Sequence, residues 1–286
     1  MSSIATALKS PRRPADWFAI ATITFFVLLA ILIFAPLLIV LFASLKTPLQ
    51  IAVDFPLAPP LAATFENWQT VLQSGNILGS LGNSMILVIF SVGINTFLAS
   101  SVAYCISRFE FRGKKLVLAI FLVAMLVPGV ITEISRFGII KSLGVYNTLL
   151  APILIYIGAD MMQLYVYLQF MNTLPVSLDE SAMMDGASYF TIYWRIILPL
   201  TLPAAATLSI LKIVEIMNDM FIPYLFMPSP KLKTLTTVLL QFSGAQNGSW
   251  NNLSAAIILV MLPTTILYIV FNKAVFRGIA AGAVKE

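Results

Sequence analysis

The sequence predicts an all-α integral membrane protein, and three observations support this fold class. Of the 286 residues, 59% are hydrophobic and only 10% are charged, and the mean hydropathy is +0.95, which is unlike a soluble domain. Six segments are long and apolar enough to cross a bilayer, which takes about 20 residues at roughly 1.5 Å each. Histidine is absent and Cys105 is the single cysteine, so a Ser-His-Asp site, a His or Cys metal cage and an internal disulfide are excluded. Neither a catalytic site nor a metal site is expected.

The six expected spans set the domain organisation. They cover residues 18–45, 85–106, 116–134, 149–170, 204–226 and 253–271. The first span is uncharged, is longer than the roughly 15 apolar residues of a signal-peptide core, and has no A-x-A site after it, so it is expected to remain as an anchor. Residues 1–17 then form a cytoplasmic N-terminal segment, residues 18–276 a transmembrane domain, and residues 277–286 a cytoplasmic C-terminal tail.

The distribution of lysine and arginine over alternate loops predicts the orientation in the membrane. One set of loops contains eleven basic residues, namely Lys9, Arg12, Arg13, Arg108, Arg112, Lys114, Lys115, Arg195, Lys273, Arg277 and Lys285. The other set contains five, namely Lys46, Arg136, Lys141, Lys231 and Lys233. Because basic loops tend to stay in the cytoplasm, the first set and both termini are expected there.

The second span contains a stripe of small and polar residues at every fourth position. Its members are Ser91, Asn95, Ala99, Ala103 and Ser107. Stripes of this kind let membrane helices approach closely, so close packing is the first interpretation. The alternative is that Asn95 lines a path for a solute.

The segment between the fourth and fifth spans, residues 172–203, predicts two short helices. Ser177 followed by Glu180 is a capping box, which predicts a helix start just before Leu178. Gly186 predicts the end of this helix or a sharp bend, and Ser188 can cap a second helix.

The second of these helices has an apolar stripe suited to the membrane interface. The stripe consists of Phe190, Tyr193, Trp194 and Ile197, at positions i, i+3, i+4 and i+7. Pro199 and Pro203 are expected to break the path into the fifth span. On composition alone, residues 172–203 form an amphipathic elbow at the interface.

The spacing within this segment resembles the EAA motif of the membrane subunits of binding-protein-dependent ABC importers, E-A-A-x3-G-x9-I-x-L-P. The matching positions are Glu180, Ser181, Ala182, Gly186, Ile196, Leu198 and Pro199. The departure is Ser181, where the family prefers Ala; serine is small enough to keep close packing. Further stretches are similar to MalG-type permeases of carbohydrate importers, namely residues 107–115, 138–150, 218–223, 276–278 and 282–284.

This resemblance implies a fold, a function and partners. The fold is that of a type I ABC importer permease, in which residues 172–203 couple to a cytoplasmic ATPase; Glu180, Ala182, Asp185, Gly186 and Ala187 would form the docking surface. The function is ATP-driven import of a sugar, oligosaccharide or polyol across a bacterial or archaeal cytoplasmic (inner) membrane. The implied partners are a second permease subunit in a heterodimer, two ATP-binding subunits, an extracytoplasmic solute-binding protein and membrane lipid, and no nucleic acid.

ATP chemistry is expected in a partner. The sequence contains no G-x-x-x-x-G-K-[ST] phosphate loop, so ATP and Mg would be bound by the separate ATPase and no cofactor by this chain. The resemblance also implies that residues 282–286 approach the ATPase dimer; the alternative is a frayed polar terminus.

Charged residues within the expected spans allow two interpretations. Asp160 lies in the fourth span, and Lys212, Glu215 and Asp219 follow at spacings of three and four in the fifth. Such charges are costly in lipid and should face protein or water. They pair, Lys212 with Glu215 and Asp160 with another helix, or they line a solute path together with Asn218.

Two further expectations concern the outer side and a competing function. Trp250 is expected to be an interface anchor. The resemblance also implies that the loop with Gln246, Asn247 and Trp250 contacts the solute-binding protein, and both roles of Trp250 can hold together. The competing function is an ion-coupled secondary transporter or channel that uses Asp160, Glu215 and Asp219.

Overall fold

The computed structural model describes residues 17–158, 160–243 and 249–283, and the side chains within these ranges except those of residues 130 and 271–283. Within these residues the regular structure is entirely helical. The first helices are α1 (Trp17–Ser44), α2 (Pro48–Val53), α3 (Glu66–Ser74), α4 (Ile77–Arg108), α5 (Lys114–Leu126), α6 (Gly129–Ser142), α7 (Leu150–Tyr156) and α8 (Met161–Met171). The remaining helices are α9 (Ser177–Met184), α10 (Tyr189–Ile192), a π-helix (Tyr193–Ile197), α11 (Leu198–Leu200), α12 (Leu202–Asn218), α13 (Phe221–Phe226), a 3-10 helix (Pro230–Leu232), α14 (Leu235–Ser243) and α15 (Trp250–Ala283).

Both long single helices and bent pairs of shorter helices could cross a membrane in the described part of the chain. Three helices are long and apolar enough on their own, namely Trp17–Ser44, Ile77–Arg108 and the first part of α15, Trp250–Val270. The number rises to six if each of three bent pairs counts as one span. The expected positions of the first, second and sixth spans therefore agree with continuous helices.

The third, fourth and fifth expected spans are not continuous helices in the described residues. The third breaks at Val127 and Pro128, and the chain bends by 111° between the helices on either side. The fourth bends by 52° between α7 and α8. The predicted fifth span, residues 204–226, ends its helix at Asn218 and continues as the short α13. Proline and helix caps explain these breaks, because a proline lacks an N–H and an extended cap residue ends the helical ladder.

The first helix is fastened to the rest of the chain at its C-terminal end. Most of α1 is exposed, whereas Ser44 at its end is fully buried. The Asn67 amide donates to the Ser44 and Lys46 carbonyls, both at 2.9 Å, and accepts from Asn251 Nδ2 at 2.6 Å. Lys46 Nζ lies 3.3 Å from Asp54. This buried network joins α1 to α3 and α15.

Helix α4 packs into two separate hydrophobic cores. One core contains Leu87 of α4 together with side chains of α7, α12, α14 and α15. The other contains Ala99 and Ala103 of α4 together with α8, α9, α10 and the start of α12. Ser91, Asn95, Ala99 and Ala103 are all at most 2% exposed, so close packing of the small stripe is confirmed for these positions.

Candidate functional site

We call residues 172–203 the coupling segment, after the role that the resemblance implies. Its first helix is α9, and the start of this helix differs from the expectation. Val176 is the N-cap and Ser177 is already the first helical residue, so the predicted capping box between Ser177 and Glu180 is not formed. The Pro175 carbonyl accepts from Leu178 N–H at 3.2 Å and the Val176 carbonyl from the next two amides. Backbone acceptors thus replace the side-chain cap, and the Glu180 carboxylate faces outward.

Gly186 ends α9 in a left-handed conformation. Its φ is +81°, as the sequence predicts for a helix-ending glycine. The Gly186 N–H donates to the Met183 carbonyl and the Ala187 N–H to the Ala182 carbonyl, both at 3.0 Å, which is the Schellman hydrogen-bond pattern. A Cβ at this position would meet no atom of the chain within 4 Å, so the requirement for glycine inside this chain comes from the backbone conformation.

The second helix of the coupling segment starts as predicted and then changes its pitch. The Ser188 hydroxyl accepts from the Thr191 N–H at 3.3 Å, which confirms the predicted cap. The Leu198 N–H donates to the Tyr193 carbonyl, five residues earlier, and Pro199 follows without an N–H of its own. Helix 189–200 then meets α12 at 73° around Thr201, so the predicted break is present.

The change to a π-helix divides the apolar stripe that the sequence predicts. Phe190 and Trp194 are 69% and 51% exposed, and their rings stack with centroids 6.4 Å apart. Tyr193 and Ile197 are buried in the core beside α4 and α8. The prediction of one interfacial stripe is therefore wrong, because two of its four members face outward and two pack into the core.

The residues of the EAA-like motif lie on two faces of the coupling segment. Glu180, Ser181, Asp185, Gly186 and Pro199 are exposed. Ala182 is buried at 9% exposure, so its expected place on a docking surface is wrong. Ala187, Ile196 and Leu198 are partly buried against the same core. The inward residues hold the segment in place, and the outward residues form what we call the coupling face: Glu180, Ser181, Met184, Asp185 and Gly186.

Sequence reasoning missed Met184. Its side chain is 89% exposed at the last position of α9, directly before the acidic Asp185. A flexible thioether beside two carboxylates combines an apolar contact with negative charge at one end of a short helix. The signal in the sequence is weak, since a methionine in a membrane protein is usually attributed to the core.

Most of the charged side chains that the sequence places within the expected spans line a cavity of about 620 Å³. We call it the charged cavity, and its charged lining consists of Glu133, Arg136, Asp160, Lys212, Glu215 and Asp219. The sequence singled out four of these side chains; it missed Glu133 and Arg136, which lie in α6, and the neutral Tyr156.

Two ion pairs account for four of the six charges. Lys212 Nζ lies 2.9 Å from Glu215 Oε1, which confirms the predicted pair, and Arg136 Nη1 lies 2.6 Å from Glu133 Oε1. In both pairs one side chain is buried and the other is half-exposed: Lys212 at 8% against Glu215 at 55%, and Glu133 at 10% against Arg136 at 44%. All four side chains line the cavity, with one member of each pair more exposed than the other.

The remaining two carboxylates stabilise helix ends. Asp160 Oδ1 accepts from the Gln163 N–H at 2.8 Å and caps α8, so its predicted pairing with another helix is wrong. Asp219 Oδ1 accepts from the Phe221 N–H at 2.7 Å, and Asp219 Oδ2 accepts from the Tyr156 hydroxyl at 2.8 Å. Both carboxylates occupy helix N-termini, where negative charge is favourable.

Asn95 and Asn218 have different surroundings from each other. Asn95 is buried beside the break between α7 and α8; its Nδ2 donates to the Gly158 carbonyl at 2.8 Å, and its Oδ1 accepts from Gln163 Nε2 at 2.8 Å. Asn218 is exposed and donates to the Val214 carbonyl of its own helix. Neither belongs to the lining of the charged cavity.

Of the three residues expected to contact a solute-binding protein, the structure describes one, Trp250. Trp250 begins α15 and is 57% exposed. Gln246 and Asn247 lie outside the described residues. In the tail, residues 282 and 283 continue α15, and residues 284–286 lie outside the described residues.

The described residues form an all-helical fold with segments long and apolar enough to cross a membrane. The family of binding-protein-dependent transport system inner membrane components matches residues 84–281, so the chain belongs to this family. This finding confirms the resemblance drawn from the EAA-like spacing.

Curated relatives cover most of the chain. A probable permease protein, AmyC, of a transport system for starch degradation products in Thermoanaerobacterium thermosulfurigenes is 30% identical over 84% of this chain and 88% of its own length. The trehalose/maltose transport system permease protein MalG of Thermococcus litoralis is 30% identical over 78% of this chain and 82% of its own length.

Solved structures share the fold. A chain of a bacterial ABC transporter involved in the import of the acidic polysaccharide alginate superposes with a TM-score of 0.79, covers 92% of this chain and 99% of its own length, and is 20% identical. A chain of the bacterial alginate transporter in complex with a periplasmic protein that carries an alginate pentasaccharide gives a TM-score of 0.63 at 18% identity, with coverage of 90% and 93%. At these identities the likeness concerns the fold alone.

Proposed function

We propose that this chain is one permease subunit of an ATP-driven importer for a sugar, oligosaccharide or polyol. Family membership and the relatives named for starch products and trehalose or maltose support this function, and they give no support to an ion-coupled transporter. The observation that carries the proposal is the coupling segment, in which two short helices joined at a left-handed glycine expose acids and a methionine on one face.

The coupling face would dock into a groove of a separate ATPase. Glu180 and Asp185 are exposed, and within the part of the chain that the structure describes neither forms an ion pair. Carboxylates of this kind suit arginine or lysine side chains of a partner, and Met184 suits an apolar pocket between them. The ATPase would bind ATP and Mg, and its closure would move α9.

The charged cavity would be this subunit's share of the solute path. Its lining combines two ion pairs, two helix-capping carboxylates and the Tyr156 side chain, which together supply many hydrogen-bonding groups. Hydroxylated solutes exchange hydrogen bonds with such a surface, and the second permease subunit would close the cavity from the other side.

The proposed assembly lies in the cytoplasmic membrane with both termini inside. It contains this chain, a second permease subunit, two ATP-binding subunits and an extracytoplasmic solute-binding protein. In a Cys105→Ser background, a cysteine at Ser2 or Lys285 should react with a membrane-impermeant thiol reagent only after the cells are opened. Reaction in sealed cells would contradict the orientation.

Reconstitution tests the function directly. The purified complex in proteoliposomes should hydrolyse ATP faster when the solute-loaded binding protein is added, and should accumulate the solute only with ATP. Uptake driven by an ion gradient in the absence of ATP and of the other subunits would contradict the proposal.

A further inference from the structure

A buried cluster of charged and polar groups joins the C-terminal end of α4 to the coupling segment. Asp179 of α9 is 4% exposed, and its Oδ2 lies 3.1 Å from Arg108 Nε. Asp179 Oδ1 accepts from the Tyr104 hydroxyl at 3.0 Å. Two consecutive acids of α9 thus point in opposite directions: Asp179 faces the protein and Glu180 faces outward.

The same end of α4 also holds the chain that leads into α9. Arg108 Nη2 donates to the Leu174 carbonyl at 3.0 Å, and the Ser107 hydroxyl donates to Asn172 Oδ1 at 3.3 Å. The entrance of the coupling segment and its first helix are therefore both attached to the last turns of α4. A displacement of α9 cannot leave α4 unaffected while these contacts persist.

The chemistry of the cluster is unusual for a purely structural contact. Taking an ion pair out of water is expensive, and well-packed apolar side chains often stabilise as well or better. Here Arg108 Nε and Asp179 Oδ2 are close, yet their geometry does not satisfy a hydrogen bond.

Helix α4 extends from this cluster to the charged cavity. It has 32 residues without a proline, and Asn95 lies thirteen residues before Arg108. At roughly 1.5 Å per residue this separation is about 20 Å. Asn95 binds the Gly158 carbonyl and Gln163, next to the α8 cap Asp160, which lines the cavity. One continuous helix therefore contacts both the coupling segment and the break in the cavity wall.

We propose that Asp179, held by Arg108 and Tyr104, is a positioning residue that transmits the movement of α9 to α4 and, through Asn95, to the wall of the charged cavity. This inference rests on the proposed function of an ATP-driven importer. It assigns different roles to the two acids: Glu180 belongs to the face that meets the ATPase, and Asp179 connects that face to the solute path.

The test uses the complete importer in proteoliposomes and compares solute transported per ATP hydrolysed. Asp179→Asn keeps the size of the side chain and an acceptor for Tyr104 but removes the charge. It should retain the ATPase in pull-down at the wild-type level and lower transport per ATP by about tenfold, because a charge-assisted contact contributes more than a neutral one. Tyr104→Phe removes only one hydrogen bond and should lower the ratio by about threefold.

Two further variants separate positioning from stability. Glu110→Gln removes the exposed ion pair with Lys114 in the same region, at 2.7 Å, and should leave transport per ATP unchanged. Arg108→Met combined with Asp179→Leu removes both buried charges, so insertion and ATPase binding should be normal while transport per ATP stays low. This double variant decides the question if Asp179→Asn fails to insert.

The outcomes also distinguish this inference from the proposed function. Wild-type transport per ATP in Asp179→Asn, or in the double variant, would overturn the positioning role and leave the importer intact. Failure of the unmodified chain to bind an ATPase or to transport a solute with ATP would overturn the proposed function itself.

Discussion

The charged cavity and the coupling face use their acidic residues in different ways. In the cavity, every carboxylate that lines it has a partner in the same chain: Lys212, Arg136 or the N–H groups of a helix start. On the coupling face, Glu180 and Asp185 are exposed and form no ion pair within the described residues. Groups that are satisfied internally maintain a shape, whereas groups left outward are available to another subunit. The predictions below test this difference.

The largest effect is expected at Gly186. Valine at φ +81° would strain the backbone by about 1–3 kcal/mol and place a branched side chain in the docking groove. Gly186→Val should insert and pair with its permease partner but lose ATPase binding and transport, and Gly186→Ala should be milder. Pull-down of the ATPase and solute uptake measure these effects.

Gly144 provides the matched control. It also has a positive φ, +72°, and open space around its Cβ position, but it lies outside the coupling segment. Gly144→Val should carry a similar backbone strain and leave ATPase binding unchanged. If Gly186→Val binds the ATPase and transports normally, the coupling assignment is wrong and only an interfacial elbow remains.

Met184→Asp should have the second largest effect. The side chain is 89% exposed, so the change leaves the folded chain intact but places a third acid in the apolar contact with the ATPase. ATPase affinity should fall by about tenfold, which corresponds to roughly 1.4 kcal/mol of lost contact. Leu61→Asp, at a position that is 93% exposed and distant in sequence from the coupling segment, is the control and should bind normally. Equal binding by both variants would remove Met184 from the coupling face.

The Lys212–Glu215 pair predicts an unequal response in thermal unfolding. Glu215→Gln leaves the buried Lys212 ammonium without its partner, whereas Lys212→Met leaves a half-exposed carboxylate that water can solvate. Glu215→Gln should therefore lower the free energy of unfolding by about 2–3 kcal/mol and Lys212→Met by less. A larger loss from Lys212→Met would show that the cavity is dry around Glu215.

The smallest effect is expected at Asp160, because its role is local. Asparagine is as good an N-cap as aspartate, so Asp160→Asn should leave thermal stability almost unchanged. Asp160→Ala removes the acceptor for the Gln163 N–H and should cost about 1 kcal/mol. Severe loss of assembly in the asparagine variant would contradict the capping role and support an ion pair between Asp160 and another helix.

The sequence predicts local features well where the cause is local. Three examples are the left-handed Gly186, the Ser188 cap and the Lys212–Glu215 pair, each of which depends on residues at most five positions apart. The all-helical class and the family also follow from the sequence, because composition and a fixed motif spacing do not require knowledge of the packing.

Features that depend on the surroundings were predicted less well. The capping box at Ser177 is not formed, because the Pro175 and Val176 carbonyls accept the first amides of α9 instead. Asp160 is a helix cap because the fourth span breaks beside it. Ala182 looks like a surface residue in a motif, but its helix lies with that side against α4 and α8. Each of these outcomes depends on which elements pack together.

By itself, the sequence determined that this chain is a helical membrane permease with an EAA-like motif in residues 172–203 and acids in its later spans. The tertiary structure alone decided which acids face inward. Asp179 points toward Arg108, whereas the next residue, Glu180, is exposed. Six charges from α6, the start of α8, and α12 with its cap converge on one cavity. The physical reason is that the orientation of a short helix and the position of a break depend on long-range packing, which local spacing does not encode.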